Sequence, residues 1–273
     1  FLKERMLFDV TLFSDGSNIQ RKPKGHLYLY PLIAIAAMLA IVFVMDLPHM
    51  HKPKQQLSQT IRIPAGQRAQ MDLPDGSVVW LNSQTTLTYD EDFGKKDRKV
   101  TLDGEAYFEV AHNKEIPFYV QTENIKVQVT GTKFDVCSYK GSNSFIARLI
   151  EGSINLLTNN AKEEKPITSL TKGKYFSMEN GKYKTGEMSS NNALAWMQGI
   201  YYFDDVPFKE LLDKIALYYN YKITVKNPKI LENYRCTGKF KDLDGIEHIL
   251  KVIQKDHPFK YNIDNEHNKI TIE

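Results

Sequence analysis

LYLYPLIAIAAMLAIVFVM, residues 27–45, is the stretch on which the reading of this sequence turns. It contains no Asp, Glu, Lys or Arg. As a helix rising about 1.5 Å per residue it is ~28 Å long, close to the ~30 Å hydrocarbon core of a bilayer. Pro31 lies near one end, where a helix tolerates proline best. Tyr28 and Tyr30 share that end, where aromatic rings favour the headgroup boundary. The expectation is a transmembrane helix over residues 27–46. A buried helix of a soluble domain is the alternative, but it would be shorter and carry a polar stripe.

The flanks orient the helix. Arg21, Lys22 and Lys24 precede it, whereas Asp46 follows it directly and Lys52 and Lys54 lie further off. Basic residues stay on the cytoplasmic side, so residues 1–26 are expected inside and everything after Asp46 outside. No small-residue cleavage site follows, which favours an uncleaved anchor over a signal peptide. Residues 47–59, with Pro48 and Pro53, read as a tether.

The outer part is long enough for two domains. The chain as a whole, with 25% charged residues, 11% aromatic residues and a net charge of +3, has a globular composition without the basic excess of a nucleic-acid binder. Residues 60–187 alternate apolar and polar in short runs, among them Val100/Leu102, Ala106/Phe108/Val110 and Phe118/Val120. Turn signals at Pro74-Asp75-Gly76, Asp103-Gly104, Glu151-Gly152 and Asn180-Gly181 separate them. The pattern predicts an all-β domain, an antiparallel sandwich or roll. Ile125, Val127 and Val129 are odd-numbered, whereas Phe134 and Val136 are even. The apolar face therefore flips at Thr130-Gly131-Thr132, and a β-bulge at Gly131 is expected there.

Residues 193–273 read differently. Phe203-x-Asp205-Val206 precedes a helical run, and Phe240-x-Asp242-Leu243 precedes another 37 residues later. Each helix is followed by a strand, which predicts a small α+β domain of two β-α-β units. Asp204 and Asp205 are expected to cap the first helix. Cys137 and Cys236 read as separate buried thiols, with a pair between the domains as the alternative. No phosphate loop, dinucleotide fingerprint, Gly-x-Ser-x-Gly or histidine cluster of metal-ligand spacing is present. His49-x-His51 lies in the tether. The acidic runs at Asp90-Glu91-Asp92 and Glu163-Glu164 could serve a glycan hydrolase only if folding paired them. No enzyme, cofactor or metal is expected.

Several stretches together resemble the periplasmic domain of the FecR family of transmembrane anti-sigma factors. They are Pro64-Ala-Gly66, Leu73-Pro-Asp-Gly-Ser-Val-Val-Trp-Leu-Asn82, Leu87-Thr-Tyr89, Val100-Thr-Leu-Asp-Gly-Glu-Ala-Tyr-Phe-Glu-Val110, Pro117-Phe118, Val129-Thr-Gly-Thr-Lys-Phe-Asp-Val136 and Leu149-Ile-Glu-Gly152. Residues 196–272 resemble the small domain that follows in Bacteroidetes-type members, which is similar to the signalling domain of secretins and TonB-dependent receptors. Lys172-Gly173 departs from the Pro-Gly often found there. The resemblance implies an inner-membrane protein whose cytoplasmic segment holds an extracytoplasmic-function sigma factor. Its periplasmic part would sense the signalling domain of a TonB-dependent outer-membrane receptor, without direct contact to nucleic acid. The 26 residues before the helix are short for a sigma-binding segment, so either more chain precedes them or the inside role is reduced. Some members cut themselves at a Gly-Thr bond, and Gly131-Thr132 matches it, with a bulge glycine and a plain strand threonine as the other reading. Strand addition by the receptor is expected along Arg235, Cys236, Thr237, Gly238, Lys239 and Phe240. An anchored glycan-binding protein and an assembly adaptor are the alternative functions.

Overall fold

The computed structural model describes residues 29–50, 57–159, 164–188, 191–232 and 234–273. The chain divides into two units, residues 1–55 and Gln56–Glu273. In the first, the apolar stretch forms α1 (Leu29–Met50), 22 residues with Pro31 in the first turn. It runs through Pro48, so the start of the expected tether is helical. Its described side chains lie between Pro31 and Phe43, and Ile33, Met38, Leu39, Ile41 and Phe43 are exposed. Over the described residues, no helix is long and apolar enough to cross a membrane. The segment 1–26 and residues 51–56 of the tether lie outside the described residues.

The second unit is built on one long strand, β5 (Arg98–Glu109). Residues 98–103 pair with β4 (Thr86–Asp90) and, in parallel, with β6 (Phe118–Gln121). Residues 104–109 pair instead with β3 (Val78–Leu81) and β8 (Lys133–Ser138). The strand thus passes from one layer into another. The first layer runs β11 (Pro166–Thr171), β10 (Ser153–Thr158), β7 (Ile125–Val129), β6, β5, β4, β1 (Ser58–Arg62). The second runs β2 (Ala69–Asp72), β3, β5, β8, β9 (Ser144–Glu151), β12 (Lys174–Glu179), β13 (Lys182–Glu187). The expected two-layer β domain is therefore a single curled 13-stranded sheet. Phe108, Phe118 and Phe134 fill its centre, Phe108 stacking on Phe134 at 5.1 Å. Burying each such ring contributes about 1.5–3 kcal/mol.

Two sequence expectations change here. Asp103-Gly104 is not a turn between strands but the crossing point inside β5. Gly104 has φ +136°, and a Cβ on it would come within 2.6 Å of Thr85 Cα. The flip at Thr130-Gly131-Thr132 is not a bulge but a corner. β7 belongs to the first layer and β8 to the second, so the chain changes sheet where its apolar face changes parity. The bulge lies on the neighbouring pair, where Lys133 opposes Glu151 and Phe134 opposes Leu149, leaving Ile150 extra. Asn180 and Gly181 both take positive φ in the β12–β13 turn, as a tight hairpin of that sequence requires.

The remaining chain forms β14 (Ile200–Pro207), α2 (Phe208–Tyr219), β15 (Lys222–Val225), β16 (Arg235–Lys241), α3 (Gly245–Asp256), β17 (Tyr261–Asp264) and β18 (Lys269–Ile272). β14 pairs with β16, and β18 lies between β15 and β17. Each helix lies between two strands as expected, but the strands before the helices form one sheet and those after them another. The helices turn Phe208, Leu211, Leu212 and Ile215, and Ile246, Ile249, Leu250 and Ile253, into a second core. Asp204 and Asp205 do not cap α2, whose N-cap is Pro207. They form an irregularity in β14, with Asp205 at φ +46° bonded to Thr237 and Arg235.

The crossing at Gly104 gives a direct test. Gly104→Ala meets both a positive φ and the Thr85 backbone and is expected to cost about 2–3 kcal/mol. Gly141→Ala, at φ +77° with open space around it, is expected to cost no more than about 1 kcal/mol. Urea denaturation of the two variants checks the difference.

Candidate functional site

The residues singled out in the sequence fall in two separate places. Thr132 is buried at the corner between β7 and β8, and its Oγ1 donates to the Ser153 carbonyl at 3.1 Å. The peptide on either side is pinned, since Thr130 O accepts from the Asn113 N–H and Thr132 O from the Val110 N–H. Gly131 lies against His112, whose Cα would be 2.8 Å from an added Cβ. Gly152 leaves room over this bond, because a Cβ there would sit 2.9 Å from Thr132 Oγ1. An acyl shift onto Thr132 would require its hydroxyl to leave Ser153 and turn to the Gly131 carbonyl.

Arg235 to Phe240 lie on β16, in the second core. Among the described residues, β16 pairs with β14 alone. Arg235, Thr237 and Lys239 face solvent, whereas Cys236 and Phe240 are buried. The side chains of those two are therefore unavailable to a strand-adding partner. Both cysteines are free thiols.

The most heavily built polar site is one the sequence reading missed, at the junction of the β body with residues 200–273. The alternation of β5 changes there. Its first half buries one face, whereas Glu105 and Tyr107 in its second half are buried on the face opposite Ala106 and Phe108. Arg148 of β9 bonds Asp135 of β8 through Nη1 at 2.6 Å and lies 3.9 Å from Glu105 Oε1. Glu105 Oε2 accepts from Asn82 Nδ2 at 2.6 Å and lies 3.5 Å from Tyr218 Oη. One guanidinium thus serves two buried carboxylates. Burial pushes the Asp135 carboxyl up to about 7, with Glu105 adding and Arg148 opposing. Burial likewise raises the Cys137 thiol. Above this cluster lies a cavity of about 230 Å³, lined among others by Glu105, Cys137, Arg148, Trp196, Tyr201 and Lys214.

Beside the cavity the domains bond directly. A helix leaves its last carbonyls without intrahelical partners. For α2 the β body supplies donors. Gly66 N–H and Ser83 Oγ–H each reach Tyr218 O at 2.9 Å, and the Gln84 side-chain amide reaches Leu217 O. Gln84 takes φ +55° in doing so. Arg68 pairs with Asp242 at 2.8 Å. A sequence signal for the buried cluster existed: Asp135 between Phe134 and Val136, and Arg148 between Ala147 and Leu149, are charges inside apolar strands. Nothing in the sequence pairs them, because the pairing comes from strand register.

Two outcomes are expected. With its hydroxyl held by Ser153, the purified chain should run as one band on a denaturing gel. Thr132→Ala should leave that band unchanged and cost about 1 kcal/mol of stability; fragments joining at residue 131 would show the hydroxyl released. Asp135 binds its proton more tightly folded than unfolded, between the ordinary 3.8 and about 7. Its contribution is therefore full below pH 3.8 and lost as pH rises through 7. The urea midpoint should fall more steeply from pH 5 to 8 in the wild type than in Asp135→Asn; parallel slopes would contradict this.

Comparisons with known proteins bear on the same two regions. Residues 59–155 match the family model described as FecR protein, and residues 200–272 match the one described as FecR, C-terminal. No curated protein matches the sequence. Two crystal structures of a candidate anti-sigma factor from Parabacteroides distasonis ATCC 8503 share the fold. One, at 2.50 Å resolution, is 25% identical with a TM-score of 0.67, covering 79% of this chain and 98% of that one. The other, at 1.65 Å, is 24% identical with the same TM-score and coverage. The β body and the small α+β domain thus follow one another here as the two family models do, and the chain belongs to the FecR family of anti-sigma factors, signal transducers whose partner is a sigma factor.

Proposed function

We propose that the chain is a single-pass relay of the bacterial inner membrane, connecting a TonB-dependent outer-membrane receptor to an extracytoplasmic-function sigma factor. Residues 1–26 lie in the cytoplasm and contribute to holding the sigma factor. The helix of residues 27–46 crosses the bilayer. Residues 57–273 face the periplasm and sense the receptor's signalling domain. The tandem of the two FecR-type regions behind an apolar helix carries this reading. Exposed Ile33, Met38, Leu39, Ile41 and Phe43 on α1 suit a lipid environment. The basic flank at Arg21, Lys22 and Lys24 suits an N-terminus inside.

The receptor's signalling domain adds a strand to β16, which among the described residues pairs with β14 alone and whose Arg235 carbonyl lies 3.2 Å from His257 Nε2. Backbone bonds would give the affinity, and outward Arg235, Thr237 and Lys239 the selectivity. The relay needs no cofactor, no metal and no enzymatic step, and it touches DNA only through the sigma factor.

The test is a pull-down of the complete protein from its own cells in mild detergent, with partners identified by mass spectrometry. Recovery of a sigma factor together with a TonB-dependent receptor is expected. Recovery of glycan or envelope structural proteins alone would contradict the relay.

A further inference from the structure

The contact between the β body and residues 200–273 differs in kind from the interior on either side of it. Two hydrophobic clusters are present, one centred on Phe108, Phe118 and Phe134 and the other on Phe208, Leu211, Ile249 and Leu250, the second also taking in Tyr107 of β5. The junction is held by polar bonds to the end of one helix, by the Arg68–Asp242 ion pair, and by buried Tyr107 with half-buried Trp80 and Ile150 resting on the second core. A half-open cavity of about 230 Å³ lies within it. Asp135 Oδ1 and the Trp196 indole Nε1 are buried there, the indole near enough to the carboxylate to favour its charged form. Gln84 is held at φ +55° to make one of the bonds. Gly199, at φ +74°, lies where a Cβ would come within 2.8 Å of both Arg68 Nη2 and Asp242 Oδ1. Well-packed interiors lack these features, and separable domain contacts have them.

We propose that this junction is a clasp with an open state, in which residues 200–273 leave the β body while both cores stay folded. The bonds that close it are those from Gly66, Ser83 and Gln84 to the carbonyl end of α2, together with Arg68–Asp242. The pivot is the segment ending at Gly199, which follows the short 3₁₀ helix Asn191–Gln198. Opening uncovers Glu105 and Tyr107 on β5 and Tyr201 and Tyr218 on the other side. Those two tyrosines stack at 4.2 Å within their own domain, so they keep each other when the domains part. The clasp gives a two-state element that a partner on residues 200–273 could bias. That use rests on the relay reading, but the clasp is testable without any partner, so the two can fail separately.

The chain carries its own reporters. It has two tryptophans, and both sit at the junction. Trp196 is buried against the cavity, and Trp80 meets Tyr107 edge-on at 5.4 Å. Opening should therefore shift tryptophan emission to the red while the helical circular dichroism of α2 and α3 is retained. The experiment is a urea titration of the full chain in detergent followed by both signals. The clasp predicts that the emission shift comes first, at a urea concentration where the dichroism is unchanged. It also predicts that Ser83→Ala combined with Arg68→Ala moves this first step to lower urea, populating the open form at least ~10-fold more, and leaves the second step in place. Superimposed transitions in the wild type would overturn the proposal whatever the variant does, since they mean one cooperative unit. A first step that the variant does not move would overturn the assignment of the clasp to these bonds.

Discussion

Everything in the second unit depends on a strand that has to serve two layers. β5 is 12 residues long, and neither sheet layer uses all of it. A strand that changes partners must twist and bend at the change, and a residue with a Cβ obstructs this where another backbone presses in. Gly104 meets that requirement against Thr85. On one side of it, β5 buries one face. On the other, both faces are covered, by the aromatic core beneath and by residues 200–273 above. The same corner logic recurs between β7 and β8, where Gly131 passes close to His112.

The second covered face determines the chemistry of the junction. Its strand positions carry Glu105, Asp135 and Arg148, and none of them could be left unpaired at that burial. One arginine between two carboxylates is a compromise rather than a stabilising optimum, since desolvating three charges consumes much of what their attraction returns. A wholly apolar contact would fuse the domains into one core. A charged contact around a half-open cavity gives specificity of docking without that permanence, which suits a family whose members transmit a state. The cores are where stability resides, and the junction is where conformational freedom is left.

Much of this was legible in the residues, and what was not has physical reasons. The apolar period of residues 27–45, the doubled Phe-x-Asp-apolar pattern before each helix, and the Asn180-Gly181 hairpin are local signals, and the helices and turn follow them. The parity flip at residues 130–132 was visible, but its cause was not. A bulge and a change of sheet leave the same mark on one strand, and only the pairing partners tell them apart. Asp103-Gly104 looked like a turn because that dipeptide favours one, whereas tertiary pairing on both sides keeps it extended. The cluster at Glu105, Asp135 and Arg148 spans 44 residues of sequence and is assembled by register alone. The inward direction of Cys236 and Phe240 on β16 follows from the strand's alternation. It could have been read from the sequence had Phe240 been taken as core, as its aromatic neighbours suggest.

The claim on which this account rests most is that the second half of β5 is held from both faces and the first half from one. Amide hydrogen exchange along β5 tests it, comparing the full chain with a chain ending at Glu187. The account predicts that the amides of Ala106, Tyr107 and Phe108 exchange at least ~10-fold faster in the shortened chain, while those of Val100 and Leu102 keep their protection. Equal protection along the whole strand in both chains, or an equal loss along all of it, would contradict the account.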